Sequence, residues 1–256
     1  MIPDVSQERQ ELLQSLLDMG ESMLQCGAEI NRVEDTLSRI GKAFHAVRTD
    51  TFVITSSIVL TFVFEDNAIL TQTRRIAQSG RTDFDKLERF NSLSRTCCAQ
   101  TIPIADFRRS VDSIIHRKAP FLPYLIGNLA AALGFAVFFG GTLKDGIAAL
   151  LLGLFYCGFD ARMHRYFPNK VLFLAAASFS VGFLACLSCR ILPFLNADKI
   201  MIGDIMLMIP GINMTNAVRD VLTGDTMSGL LKLTESLLWS CAIAGGFMVA
   251  IALIGV

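Results

Sequence analysis

The sequence predicts an α-helical polytopic membrane protein of five transmembrane helices with an N-terminal α+β cytoplasmic domain. Two observations carry that expectation. Residues 1–118 hold 15 of the 23 basic and 16 of the 23 acidic residues, whereas residues 119–256 hold 8 and 7. Between those few charges, the second part consists of apolar runs near the ~20 residues that a helix needs to cross a bilayer. The solvent therefore changes near Pro120, dividing the chain into a water-soluble part, 1–118, and a membrane part, 119–256. The formal net charge is zero, and the near balance in each part offers no electrostatic footing for a nucleic acid.

In the soluble part, residues 4–25 place Leu12, Leu13, Leu16, Leu17, Met19 and Met23 at helical spacing. Residues 29–44 repeat the pattern with Ile30, Val33, Leu37 and Ile40, and Gly27 suits the turn between the two helices. Residues 51–64, rich in Thr, Val, Ile and Phe, read as one or two strands. Glu65-Asp66-Asn67 is a turn signal, and residues 68–74 complete a hairpin. Helical spacing returns over 84–98 and 106–117.

The membrane part divides into spans at approximately 120–142, 144–161, 171–190, 200–218 and 234–256. The second is short and is flanked by Asp145 and Asp160, so it spans only if these carboxylates tuck into the interfaces or the bilayer thins. The third is rich in Ala, Ser and Gly, which let membrane helices approach closely.

The N-terminus, MIPDVSQERQ, has neither a basic start nor an early apolar stretch and does not read as a signal peptide. With residues 1–118 inside, the inner segments carry Arg108, Arg109, Arg117, Lys118, Arg162, Arg165, Lys170, Arg219 and Lys232. The outer loops carry Lys144, Arg190 and Lys199. That bias predicts a cytoplasmic N-terminus and, with five spans, a periplasmic or extracellular C-terminus.

The fourth span carries the strongest functional signal. Asp204 is a carboxylate at membrane depth, and Pro210-Gly211 breaks the helix that holds it. Freed backbone groups must be met by protein or water, and discontinuous helices often line the path of a transported solute. Asn213, Thr215 and Asn216 follow as hydrogen-bonding groups, and Arg219 and Asp220 close the segment. Two readings of Asp204 stay open here: a site facing the protein interior, or a side chain reaching the outer interface. Glu235 opens the fifth span as either a proton-coupling group or a surface partner of Lys232.

Little points to catalysis, and no catalytic residue, metal site or cofactor is assigned. His45, His116 and His164 are isolated, and Ser56-Ser57 has no triad partner at a recognisable spacing. Thr82-Asp83-Phe84-Asp85 reads as a helix start, and no phosphate-binding loop suggests ATP-driven pumping. Cys186-x-x-Cys189 has a redox or metal spacing, but no second pair or nearby His completes a site, and it reads as small apolar residues packing between helices.

Four stretches together resemble a known family. They are Cys26-Gly27-Ala28-Glu29 with Arg32-Val33-Glu34, residues 55–64 leading to Thr73-Arg74-Arg75, residues 83–91, and Pro210-Gly211-x-x-x-Thr215-Asn216-Ala217-x-Arg219-Asp220. Gly224-Asp225 and Ser228-Gly229-Leu230 extend the last. The chain thus resembles the threonine/serine exporter family, in particular its split-type subunits equivalent to the N-terminal half of full-length exporters. The resemblance implies a bacterial inner-membrane secondary transporter exporting threonine, serine or small carboxylic acids such as dicarboxylates. It also implies a second small membrane subunit as partner. Path residues are then expected at Asp204, Pro210, Gly211, Asn213, Thr215, Asn216, Arg219, Asp220 and Glu235, and a cytoplasmic motif at Gly27, Glu29, Arg32, Glu34 and Arg74. The competing expectations are a membrane-anchored hydrolase and a regulatory scaffold acting through the cytoplasmic domain.

Overall fold

The computed structural model describes residues 5–76, 82–100, 102–118, 120–163, 166–167 and 169–254. His164, Arg165 and residues 255–256, invoked above, lie outside these. The chain forms two compact units: Met1–Ala119 with Ile212–Leu233, and Pro120–Gly211 with Thr234–Val256.

The first unit opens with helices α1 (Val5–Gln25) and α2 (Ile30–Ala43), followed by strands β1 (Ala46–Ile54), β2 (Ser57–Phe64) and β3 (Ile69–Arg75). Helices α3 (Phe84–Ala99) and α4 (Ile104–Ile115) complete its first stretch. The strands form an antiparallel sheet in the order β1-β2-β3. Alternation along β2 sends Ile58, Leu60, Phe62 and Phe64 into the core. There they meet Leu13, Leu16 and Met23 of α1 and Val33, Leu37 and Ile40 of α2. Each such side chain contributes about 1.5–3 kcal/mol on burial, so this helix-on-sheet layer is the main source of the unit's stability.

The expected strand region, 51–64, proves to be two strands joined at Thr55-Ser56, and β1 starts earlier, at Ala46. The stretch from Ala46 to Asp50 has no apolar alternation; cross-strand partners such as Asp50 with Thr61 hold it in the sheet. The acids at the start of α3 have structural partners. Asp83 is the N-cap and accepts from Lys86 N at 3.0 Å, and Asp85 pairs with Arg89 at 2.9 Å.

The second unit holds α5 (Phe121–Phe138), α6 (Leu143–Met163), α7 (Lys170–Ile191) and α8 (Ala197–Met208). Beyond α8 come α9 (Gly211–Leu222) and α10 (Thr226–Ile254). Four helices, α5, α6, α7 and α10, are long and apolar enough to cross a membrane, and the count reaches five if α8 and α9 form one broken span. The second expected span is not short, because α6 runs 21 residues.

The fourth expected span, 200–218, is two helices. Ile209 is extended (φ −60°, ψ 130°), the conformation imposed on a residue preceding proline. The chain also changes unit there, because Ile212–Leu233 packs with the N-terminal residues.

Candidate functional site

Two places in the structure gather the residues that carry chemistry. The first lies in the first unit, where α9, the turn after it and the first turns of α10 form a helical hairpin. Gly224 makes the turn with φ +102°, a conformation that side-chain-bearing residues rarely adopt. A Cβ at Gly229 would sit 2.7 Å from the Ala217 carbonyl oxygen, so the two helices touch backbone to backbone. Lys232 reaches across the hairpin to Asp220 at 2.7 Å, and both side chains are largely buried.

The same hairpin is tied to the turn between α1 and α2. Gly27 ends α1 with φ +91°, which leaves its carbonyl free to accept from Asn216 Nδ2 at 3.0 Å. Arg219 pairs with Glu29, two residues further on. Glu34 accepts from Val53 N at 2.9 Å. Burial raises the Glu34 carboxyl above its ordinary value; the Val53 bond opposes the rise and the Asp225 charge adds to it. Asp225 is likewise raised, by burial first and by Asp220 second, with Lys232 opposing. Its Oδ2 is buried without a hydrogen-bond partner.

The second place lies within the second unit, where α5, α6 and α8 meet along small residues. Gly203 of α8 faces α5 so closely that a Cβ there would lie 2.7 Å from the Ala132 carbonyl oxygen and 2.9 Å from Ala136 Cβ. Ala132, Ala136 and Ala149 are buried in the same seam. Asp204 follows Gly203 and has no solvent exposure. It lies close to α6 at Gly153, where a Cβ would be 3.6 Å from Asp204 Oδ1. Neither carboxylate oxygen has a hydrogen-bond partner. The Asp204 side chain is thus buried among the helices of this unit.

The chain matches, over residues 14–254, the family described as "Putative threonine/serine exporter". It belongs to the threonine/serine exporter family. It is also 20% identical over 249 residues to a protein of Mycobacterium tuberculosis (strain ATCC 25618 / H37Rv) named "Probable threonine/serine exporter". That match covers 94% of this chain and 46% of the relative, so the chain spans about half the length of the curated relative it matches. No solved structure matches the chain. With its long apolar helices, this member of the exporter family is a multi-pass membrane protein.

The family-like stretches meet in the first unit: Gly27 with Asn216, Glu29 with Arg219, and Glu34 within electrostatic reach of Asp225. Other expected residues stand apart. Arg74 on β3 bridges Asp18 and Glu21 of α1 at 2.7 and 2.9 Å. Arg32 and Glu235 are exposed. Asp204, Pro210 and Gly211 belong to the second unit. Asn213 is half-buried and Thr215 exposed on α9.

Sequence reasoning missed the seam around Asp204 and the partners of Asp145. The seam had a signal, since Gly146, Ala149 and Gly153 recur at helical spacing on α6 and Ala132 and Ala136 on α5. Asp145, expected at an interface, is fully buried and accepts from Thr142 N at 2.8 Å, Thr142 Oγ1 at 2.8 Å, Asn196 N at 2.8 Å and Asn196 Nδ2 at 3.0 Å. Asn196 is 51 residues away, beyond the reach of any local pattern. Among the described residues, no group of His, Cys, Asp and Glu could hold a metal ion.

Proposed function

We propose that this chain is a subunit of a secondary transporter that exports small hydrophilic metabolites across the bacterial inner membrane. Threonine and serine are the first candidates and small carboxylic acids, including dicarboxylates, the second. The N-terminus lies in the cytoplasm and the C-terminus outside, and a second small membrane subunit supplies the equivalent of the remaining half of the longer relative.

One observation carries this reading: Asp204 is fully buried in a helix seam with no hydrogen-bond donor for either oxygen. Burying a carboxyl without partners costs free energy, and within membrane helices such groups mark ion and proton pathways. Asp204 takes up and releases the coupling proton as the seam opens and closes. The opening is local to α8, whose end is already severed from α9 at Ile209 and Pro210. Asn213 and Thr215 on α9 line the solute path beyond the break, and Asp220 is a further candidate for carrying charge along it. The ties from Asn216 and Arg219 to Gly27 and Glu29 let the cytoplasmic part govern when α9 moves.

The test is threonine and serine efflux from cells producing this chain with and without the second subunit, comparing wild type, Asp204→Asn and Asp204→Glu. Asp204→Asn abolishes gradient-driven efflux while the protein remains in the membrane, and Asp204→Glu retains part of it. Full efflux by Asp204→Asn overturns the coupling role, and no efflux of any small metabolite by wild type with its partner overturns the export reading.

A second reading is favoured by the same ties: a regulatory part that gates the transporter by holding α9. Glu29→Gln combined with Arg219→Gln then changes the metabolite concentration at which efflux begins and leaves the maximal rate unchanged.

A further inference from the structure

Helices α5 and α6 run against each other in opposite directions, and the character of their contact changes along its length. Tyr124, near the start of α5, donates from its hydroxyl to Asp160 Oδ2, near the end of α6, at 3.2 Å. Further along, a Cβ on Gly153 would lie 3.1 Å from Ala132 Cβ, and one on Gly146 would lie 2.9 Å from Val137 Cγ2. Asp204 of α8 stands at the level of Gly153, where a Cβ would be 3.6 Å from its Oδ1. The contact therefore has two halves, with Asp204 at their boundary.

The half between Asp204 and the start of α5 is polar. Asn128 lies about one turn from Ala132 and about one turn from Tyr124, and its Nδ2 donates to the Tyr124 carbonyl at 2.8 Å. Tyr156 and Asp160 are buried on the α6 face that carries Gly153, about one and two turns beyond it. Side chains on a helix lean toward its N-terminus, which carries both back toward Gly153. The other half is apolar and close. Ala136 and Ala149 are buried there, and a Cβ on Gly203 would lie 2.7 Å from the Ala132 carbonyl oxygen. A contact this tight leaves no room for water. Asp145, at its far end, is already held by Thr142 and Asn196.

We propose that Asp204 exchanges its proton with the end of the unit where α5 begins, along Tyr156, Asn128 and the Asp160–Tyr124 pair, while the alanine–glycine half seals it from the other end. Tyr156 accepts the proton that Asp204 gives up and passes on its own, with the Asn128 amide keeping the hydrogen bonds in line. Asp160 receives the proton on Oδ1, Tyr124 holding Oδ2, and releases it to water. Asp204 is left as a carboxylate, and Tyr156 and Asp160 end as they began. The proposal rests on the reading of Asp204 as the coupling group. With the N-terminus in the cytoplasm, the polar half leads inward, and the sealed half is the one that parts to admit a proton from outside.

The test is infrared spectroscopy of the purified full chain in lipid nanodiscs. The carbonyl stretch of protonated Asp204 is the band that Asp204→Asn removes, and its downshift after transfer to D2O times the exchange of the proton. Asp160→Asn and Tyr156→Phe each slow the downshift about a hundredfold, the low end of what a positioned proton-transfer group contributes. Tyr156→Phe keeps the ring in its packing, so slowing in that variant does not report unfolding. Asp160→Glu recovers most of the rate, which a merely structural role would not produce.

A downshift as fast in Asp160→Asn and Tyr156→Phe as in wild type overturns the route. So does the absence of any carbonyl band that Asp204→Asn removes. Slowed exchange in a chain that exports no metabolite sinks the export reading and leaves the route standing. Efflux by wild type, with exchange untouched by either substitution, does the reverse.

Discussion

Asp145 and Asp204 make an instructive pair. Both have no solvent exposure, both lie within a helix, and both belong to the second unit. Asp145, at the start of α6, is met by four donors from Thr142 and Asn196. Asp204, in the seam of α5, α6 and α8, is met by none. Where this bundle needs an anion to tie a loop to a helix, it supplies donors for every lone pair direction it can. A carboxylate left without them gains no hydrogen bond to offset the cost of its burial.

The contrast breaks most visibly under alanine at position 145. Asp145→Ala strips the acceptor from both Thr142 and Asn196 and costs about 3 kcal/mol or more, read as a large fall in Tm of the purified chain. Asp204→Asn, with no partner to lose, shifts stability by less than about 1 kcal/mol in the same measurement. A destabilisation at 204 as large as that at 145 would mean that Asp204 has structural partners after all.

The seam itself is sharpened by adding bulk. Gly203→Leu forces a side chain against the Ala132 carbonyl and Ala136. Overpacking of this kind costs about 1–3 kcal/mol and should be visible as a lowered Tm and faster proteolysis of α5 and α8. Unchanged stability would show that the helices are not in tight contact there.

A smaller effect is expected where carboxylates do have partners at the surface. Arg219 is more than half exposed, so its pair with Glu29 is screened by solvent. A double-mutant cycle with Glu29→Gln and Arg219→Gln should give a coupling of about 0.5–1 kcal/mol.

The smallest concerns Asp225, whose carboxyl is raised above its ordinary value of 3.8 by burial and by Asp220. An acid raised on folding stabilises the folded state fully below its unfolded value and loses that contribution as pH rises through the folded value. Asp225→Asn should therefore be more stable than wild type at neutral pH, with the gain vanishing under acid conditions. Hydrogen exchange of Ile212–Leu233 at two pH values measures it. A wild-type hairpin that tightens as pH rises would contradict the sign.

Much of the fold was legible because hydropathy and periodicity are local. The apolar face of α2 and the alternation of β2 each announce their element within one window, and Asp83 announces its cap. The early start of β1 was not legible, since its polar residues are held by their partners on β2. The candidate site was legible as residues and not as an arrangement. Gly27, Glu29, Asn216 and Arg219 stood out as family-like motifs, but their pairing spans about 190 positions.

What the sequence alone determined is which stretches are apolar enough to cross a membrane, because burial free energy scales with the apolar surface each residue carries. It also placed a costly acid and a proline break in one apolar segment. Only the tertiary structure decided which way that acid faces and that the helix after the break packs with the N-terminal unit. Hydropathy reports depth in a medium. Direction and partnership are set by close approach of small residues and by hydrogen bonds between positions far apart in the chain, and no local composition encodes them.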